Sequence, residues 1–452
     1  MRPRWALAAS FAVLIVAAVP LALFRPDRAI QIASGAVAHN ICSAGFLSGR
    51  DPQLVVRDEL LDEPGMALLR PFLSYGVDGP RQEAHATIAG LFESRARFIP
   101  GRGCRLVLAA SQDPKPLAPM PSPNSASAPL NSHSARDPEM AAALDRTFAE
   151  PAKTSAVVVV HNGRIVAERY APGWSADTRI WGHSLTKSVT HALLGILLQL
   201  GRIDPDRPAP IREWSSPDDR RRAITIRQLM TMTAGFSEDE TGAGWDRSSR
   251  MWFIESDESA FAASERPRSP PGTQWAYHNG SVMLLARIIR EHAAGDVQLF
   301  AQQALFQPAG MTSAVLEIDG AGTPIGSTFM WATARDWARF GQLYLDNGVI
   351  DGNRLLPDGW AEQAATPTPF AAGGYGALFW TNRGDSPGAR ARRAAGMPAD
   401  SYAARGYRGQ WIVIVPSARL VVARFGNDRG GAMPIVARLV ADVISALATS
   451  TD

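Results

Sequence analysis

Ala156-Val-Val-Val-Val160, His161-Asn-Gly163 and Arg164-Ile-Val-Ala-Glu168 follow one another without a break. Two β-rich runs flank an Asn-Gly pair, and Asn-Gly suits the type I′ turn that joins antiparallel strands. Downstream, an amphipathic stretch from about Ser184 to Leu200 is stopped by Gly201 and predicts a helix. Thr225-Ile-Arg-Gln228 is a capping box, with Ile224 and Leu229 placed as its hydrophobic staple. Thr333-Ala-Arg-Asp336 starts another helix in a similar way. Gln410-Trp-Ile-Val-Ile-Val415 and Leu420-Val-Val-Ala-Arg424 read as strands, and Ile435 to Leu447 as a closing helix. Strands at both ends with helices between predict an antiparallel sheet covered by helices, an α/β sandwich.

The chain has 452 residues, 46% hydrophobic and 20% charged, a globular composition with room for one large domain and additional segments. A net charge of +3 is no electrostatic footprint for nucleic acid. Trp5 to Phe24 contains no charged residue, and 20 helical residues span about 30 Å, the thickness of a bilayer core. Arg2 and Arg4 precede the run and favour an inside N-terminus, while Arg25 and Arg28 weaken that bias. The expectation is an uncleaved inner-membrane anchor with the remainder in the periplasm or outside the cell. Ala36-Val37-Ala38 is the alternative, a late cleavage site. Export gives Cys42 and Cys104, the only cysteines, the meaning of an intrachain disulfide.

Ser111 to Arg136 holds six prolines and six serines in 26 residues and reads as a semi-extended linker. The expected organisation is therefore residues 1–24 as anchor, 25–110 as a small cysteine-bearing module, 111–136 as linker and 137–452 as the main domain. Eleven of the 12 tryptophans lie in that domain. The 25–110 segment shows little periodicity and receives neither elements nor a chemistry.

No GxSxG, HExxH, P-loop or GxGxxG is present, and the eight histidines form no close cluster, so neither a metal nor an organic cofactor is expected. Ser184-Leu-Thr-Lys187 opens the predicted helix. Residues three apart share a helical face. A serine hydroxyl needs a base within hydrogen-bond reach, and a lysine serves only when neutral. Burial and the positive helix N-terminus both disfavour its ammonium form. The other reading of the same four residues is a helix-capping serine followed by a solvated lysine. Tyr277-His-Asn279 and Gly406-Tyr-Arg-Gly-Gln410 add a phenol for proton relay and a glycine-containing strand for an oxyanion donor.

The order Ser-x-x-Lys, Tyr-x-Asn, Gly-rich strand resembles the class C β-lactamase-like, or penicillin-binding-protein-like, serine hydrolases. The resemblance runs over roughly residues 150–445. It includes His183-Ser-Leu-Thr-Lys-Ser188, Ile224 through Gly235, Phe329 through Gly341, and Val413-Ile-Val-Pro416, and looks most like the 6-aminohexanoate-dimer-hydrolase branch. It implies an antiparallel sheet flanked by helices with a helical subdomain. It also implies Ser184 as acylated nucleophile, Lys187 as its base, and Tyr277 as sharer of the proton traffic. Asn279 would bind substrate, and the N–H groups of Ser184 and Gln410 would form the oxyanion hole.

One departure stands out. Where many family members carry Lys-Thr-Gly on the edge strand, the aligned triplet here is Tyr407-Arg408-Gly409. That puts recognition of a substrate carboxylate in question, with the neighbouring Arg405 or Arg408 as the cation that would compensate; Arg408 and Gly409 join Asn279 as the expected substrate-binding residues. His278 reads as a polar residue flanking the cleft. Trp181, Trp275, Trp380 and Trp411 either line an acyl pocket or pack the core. The implied activity is hydrolysis of a small-molecule amide or ester through an acyl-enzyme. The alternatives are a β-lactamase or D-Ala-D-Ala carboxypeptidase, and a non-catalytic domain that binds envelope peptides. The sequence does not speak to oligomeric state.

Overall fold

The hairpin forms around its Asn-Gly turn. Asn162 and Gly163 have φ of 49° and 74°, and His161 pairs with Arg164 where the strands Thr154–His161 and Arg164–Tyr170 meet. The computed structural model describes residues 25–108, 113–120, 138–149, 153–240, 244 and 246–449. The run Trp5 to Phe24 lies outside the described residues, as does most of the Pro/Ser-rich segment. Among the described residues no helix is long and apolar enough to cross a membrane.

The hairpin is one edge of a six-stranded sheet. From the other edge the order is Trp380–Thr381, Tyr402–Gly406, Gln410–Val415, Leu420–Gly426, Thr154–His161, Arg164–Tyr170. All neighbours are antiparallel. Successive side chains of a strand point to opposite faces, and both faces here are covered. Ala156, Val158, Val160, Ile412 and Ile414 pack with Leu193, Trp337 and Phe340 from the helices Leu185–Gln199 and Ala334–Leu345. Val157, Val159, Val413 and Val422 pack with Met140, Leu144, Leu439 and Val443 from the helices Pro138–Phe148 and Met433–Thr449. Two covered faces explain the unbroken valine run. Each buried valine contributes roughly 1.5–3 kcal/mol.

The local signals hold. Thr225 and Gln228 satisfy each other's backbone N–H as a capping box on the helix Ile226–Met230. Thr333 accepts from Asp336 N at 3.2 Å to cap Ala334–Leu345.

Residues 25–108 have an architecture that the sequence did not announce. A 23-residue helix, Pro26–Ser48, lies across a four-stranded antiparallel sheet of Leu73–Asp78, Glu83–Ile88, Phe92–Ile99 and Gly103–Leu106. Cys42 of the helix and Cys104 of the last strand are bonded, with Cα atoms 6.1 Å apart. This module docks on the main domain. At Gly35 a Cβ would meet the Phe253 carbonyl oxygen at 2.9 Å, so only glycine permits that approach. Ser43 Oγ and Cys104 N both donate to Glu317 Oε1, at 2.8 and 2.7 Å.

Candidate active site

The strand Arg179–Trp181 leads into Gly182 and His183 before the helix Leu185–Gln199 begins. Gly182 N donates to Met330 O at 2.9 Å. A Cβ on Gly182 would sit 2.4 Å from the Trp337 ring. His183 adopts φ 49°, an uncommon conformation for a non-glycine residue. It stacks on Trp181 with ring centroids 3.6 Å apart. This sharp, tightly packed bend delivers Ser184 at the helix start.

Ser184 makes no side-chain cap to the helix, and Lys187 is 1% exposed. Both halves of the capping-serine, solvated-lysine reading therefore fail. Lys187 Nζ instead donates to Ser184 Oγ at 2.8 Å and to Ser327 O at 2.7 Å. Burial lowers the Lys187 pKa to about 8, against the opposing pull of the Glu240 and Asp239 charges. About a tenth of such a lysine is neutral at pH 7.

Tyr277 places its hydroxyl in hydrogen-bond reach of Ser184 and its ring 4.9 Å from Lys187 Nζ. The ring stacks on Trp380 and meets Tyr375 edge-on. Burial first, then the Glu240 charge, push the phenol well above its usual range; Ser184 and Arg405 pull the other way. A raised phenol beside a lowered ammonium leaves the proton on Tyr277 and makes Lys187 the group that gives its proton up.

A cleft of about 280 Å³ opens over these residues, lined by Ser184, Glu240, Tyr277, Trp380, Arg405 and Tyr407 among others. Several residues expected there are elsewhere. Asn279 is fully buried and donates from Nδ2 to Asp239, Glu240 and Ser248, so it braces Glu240 rather than facing substrate. His278 caps the helix Asn279–His292, accepting at Nδ1 from Ser281 N at 2.9 Å, with Nε2 3.1 Å from Glu265.

The expected edge strand also ends earlier than its sequence suggested. Tyr402–Gly406 is a strand, Tyr407–Gly409 is a turn, and Gln410 begins the next strand. Gly409 sits at φ 86°, where a Cβ would strike the Arg424 guanidinium. Arg408 adopts φ 59° and ties its guanidinium to Glu63. Gln410 turns its side chain to Gly426, donating to its carbonyl at 2.7 Å. Neither Gly409 nor Gln410 lines the cleft beside Ser184.

The triplet that ends at the cleft is Ala404-Arg405-Gly406, and the residue after it is Tyr407. A Cβ on Gly406 would lie 2.3 Å from Gly182 O, so this strand end comes against the Ser184 bend. The backbone N–H groups of Ser184 and Tyr407 find no acceptor among the described residues. Arg405 makes no ion pair among the described residues, and its guanidinium lies 5.4 Å from the Trp380 ring and 5.1 Å from the Trp411 ring. Glu240 is the site residue that sequence reading missed and Tyr407 the one it misplaced, while Arg405, named as a neighbour that could compensate for the absent lysine, does line the cleft. The paired glycines Gly406 and Gly409 were the available signal of a turn. Among the described residues no group of three His, Cys, Asp or Glu side chains is arranged to hold a metal ion.

Residues 144–444 match the Beta-lactamase family. The chain belongs to the Beta-lactamase family. The resemblance read from the motifs is thereby borne out. A curated member of similar sequence is the 6-aminohexanoate-dimer hydrolase of Paenarthrobacter ureafaciens, 25% identical over 248 residues. That match takes in 52% of this chain and 61% of the relative, so the chain spans less than two thirds of that enzyme. Among solved structures, a putative 6-aminohexanoate-dimer hydrolase from Bacillus anthracis is 25% identical. It covers 66% of this chain and 80% of its own, with a TM-score of 0.56. A penicillin-binding protein homolog from Caulobacter crescentus, 18% identical, shares the fold over 70% of this chain and 99% of its own at a TM-score of 0.54. Within the Beta-lactamase family the antiparallel sheet and its covering helices are thus the shared frame, and the cleft at Ser184 lies inside the matched span.

Proposed function

We propose that the protein is a serine hydrolase that forms an acyl-enzyme on Ser184 and hydrolyses amides or esters. The observation that carries this reading is the 2.8 Å Lys187 Nζ to Ser184 Oγ contact at a lysine lowered to about 8. Neutral Lys187 accepts the hydroxyl proton as Ser184 Oγ attacks the substrate carbonyl carbon. The oxygen that gains charge is met by the Ser184 and Tyr407 N–H groups. Tyr277 gives its proton to the departing amine or alkoxide, and Lys187 returns one to Tyr277. Water then attacks the acyl-enzyme by the same relay in reverse, freeing the acid and Ser184.

The substrate class we favour is a 6-aminohexanoate-oligomer-like amide or a carboxylic ester, ahead of β-lactams. Support comes from the named relatives and from the absence of a lysine at the strand end. Arg405 favours a second reading, a β-lactam or D-Ala-D-Ala substrate. It is an unpaired cation lining the cleft and supplies a partner for a substrate carboxylate. An intact nucleophile, base and phenol in one cleft weigh against a purely binding module.

We also propose a periplasm-facing, membrane-anchored protein, supported by the uncharged run Trp5 to Phe24 and the Cys42–Cys104 bond. The mass of the mature N-terminus tests the anchor.

The activity is tested by intact-protein mass seconds after mixing with a p-nitrophenyl ester and, separately, a penicillin, with Ser184→Ala as control. A Ser184-dependent ester adduct alone is the expected result. An adduct with penicillin as well moves the cell-wall reading ahead. No adduct with either sinks the hydrolase reading for generic acyl donors.

A further inference from the structure

The turn Tyr407–Gly409 carries the free Tyr407 N–H at the cleft; its three carbonyls accept from Gln410, Asp428 and Arg424 of the main domain, at 3.1, 2.9 and 2.9 Å, but its Tyr407 and Arg408 side chains reach elsewhere. Arg408 stands in the left-handed region at φ 59°, where a non-glycine residue needs outside support. Its guanidinium is nearly fully buried, and it is the N-terminal module that receives most of its hydrogen bonds. Nε and Nη2 donate to Glu63 Oε1 at 3.1 and 2.6 Å, and Nη2 donates to Glu59 O at 2.6 Å. Nη1 donates to Asn427 Oδ1 of the main domain. The other oxygen of the same carboxylate, Glu63 Oε2, accepts from the Tyr407 hydroxyl at 3.2 Å. One carboxylate thus spans two successive residues of the turn.

Neighbouring contacts repeat the pattern. Asn427 Nδ2 donates to Asp58 O at 2.8 Å. Arg429, which lines the cleft, lies 3.3 Å from Asp62 Oδ2. On the other flank, Ser48 Oγ donates to Arg179 O at 2.5 Å, and Arg179 Nη1 donates to Leu47 O at 3.1 Å. Arg179 begins the strand that delivers Ser184. The module therefore grips both chain segments that converge on the nucleophile.

We propose that the N-terminal module is a working part of the active site, with Glu63 as a positioning residue that sets the Tyr407 N–H against Ser184 by holding Tyr407 and Arg408. This rests on the hydrolase reading above and goes beyond it, because it gives residues 25–108 a role in turnover. A buried guanidinium that loses the carboxylate accepting its hydrogen bonds, and keeps as ion-pair partner only Asp62 at 3.8 Å, does not stay in place, so the turn shifts when Glu63 is neutralised. An oxyanion donor acts in the transition state more than in the ground state, so its displacement lowers kcat and leaves KM nearly unchanged.

The test compares full-length wild type, Glu63→Gln, Glu63→Asp and Asp296→Asn. Asp296, which does not line the cleft, pairs with Arg102 of the module with a closest approach of 2.6 Å and caps the helix Val297–Ala301, a role asparagine keeps, so Asp296→Asn weakens docking without touching the turn. Three quantities are read: ester turnover, melting temperature, and amide hydrogen exchange in the peptide covering residues 402–412. Glu63→Gln is expected to raise exchange at the turn and to lower kcat by about tenfold or more, with KM changed less than about threefold. Glu63→Asp is expected to recover part of the rate. Asp296→Asn is expected to lower the melting temperature while keeping kcat.

Unchanged exchange in Glu63→Gln overturns the clamp. Raised exchange with unchanged kcat overturns its role in catalysis, as does an Asp296→Asn rate loss equal to that of Glu63→Gln. A wild type that turns over no ester or amide sinks the hydrolase reading instead, and the exchange result still decides whether Glu63 holds the turn.

Discussion

Asn279 Nδ2 lies 3.0 Å from Glu240 Oε2, and this contact brings a carboxyl group to the cleft that holds Ser184. Glu240 is half-buried at the cleft wall, and desolvation raises its pKa, while the Lys187 charge and the Asn279 hydrogen bond oppose that rise. In return, the Glu240 charge supports the ammonium form of Lys187. The pair sets where on the pH axis the nucleophile becomes active.

The base works only when neutral, so kcat/KM should climb about tenfold per pH unit below about 8 and level off above it. Glu240→Gln removes the charge that raises the Lys187 pKa. Its inflection should move to lower pH, by about one unit for a close opposite charge. A pH–rate profile of both proteins on a neutral ester checks the sign. An inflection that moves up, or stays, contradicts the assignment of Lys187 as base.

Burying Lys187 also costs stability. Its folded pKa of about 8 lies below the ordinary value of 10.5. Between those values the unfolded chain binds more protons, so stability rises with pH across roughly 8 to 10.5. Below pH 8 the full cost applies, about 3 kcal/mol in order of magnitude. Lys187→Met removes that cost and leaves the Ser327 carbonyl without its donor, a loss of about 1 kcal/mol. The variant should be inactive yet melt a few degrees above wild type at pH 7. The gap should close towards pH 10.5. Thermal melts at both pH values decide it; a variant that melts lower at pH 7 refutes the argument.

How much of this was legible in the sequence varies by residue. Asn162-Gly163 and the Thr225–Gln228 box encode their structures within a few residues, and both were readable. Ser184 and Lys187 shared a face by helical spacing alone. The turn at Tyr407–Gly409 was signalled only by Gly406 and Gly409, which read equally as strand glycines, because it joins two strands without a proline or Asn-Gly, and Arg408 takes a conformation its residue type does not advertise. Glu240 had no local signal, since its meaning comes from Lys187, distant in the chain. The helix Pro26–Ser48 escaped notice for another reason. It buries Ser34, Val37, Ala38, Ile41, Ser43 and Ala44 between its own sheet and the main domain, which leaves no single apolar stripe to find.

Arg405 gives a prediction about substrate chemistry. Its unpaired guanidinium lines the cleft between two tryptophan rings. An acyl donor bearing a carboxylate should gain a charge-assisted contact there. Arg405→Gln should reduce kcat/KM on such a donor by about tenfold or more, while a neutral ester of the same acyl group loses less than about threefold. Parallel kinetics on the matched pair test this. Equal losses on both would mean that Arg405 supports the cleft instead of reading a substrate charge.

Gly406 is constrained by space and not by backbone angle. Its φ of −117° suits any residue, but a Cβ would lie 2.3 Å from Gly182 O and 3.1 Å from the Gln410 Cβ. The first neighbour is backbone and has no rotamer through which to yield. Gly406→Ala must therefore push the strand end away from the Ser184 bend and carry the Tyr407 N–H with it. Losing one oxyanion donor costs roughly 100-fold or more in kcat, and Gly406→Ala should approach that with a folded sheet and an intact Cys42–Cys104 bond. Burst kinetics with a p-nitrophenyl ester, together with circular dichroism, separate the two effects. If acylation proceeds at the wild-type rate, Tyr407 is not the donor, and the oxyanion site must be sought elsewhere along the cleft.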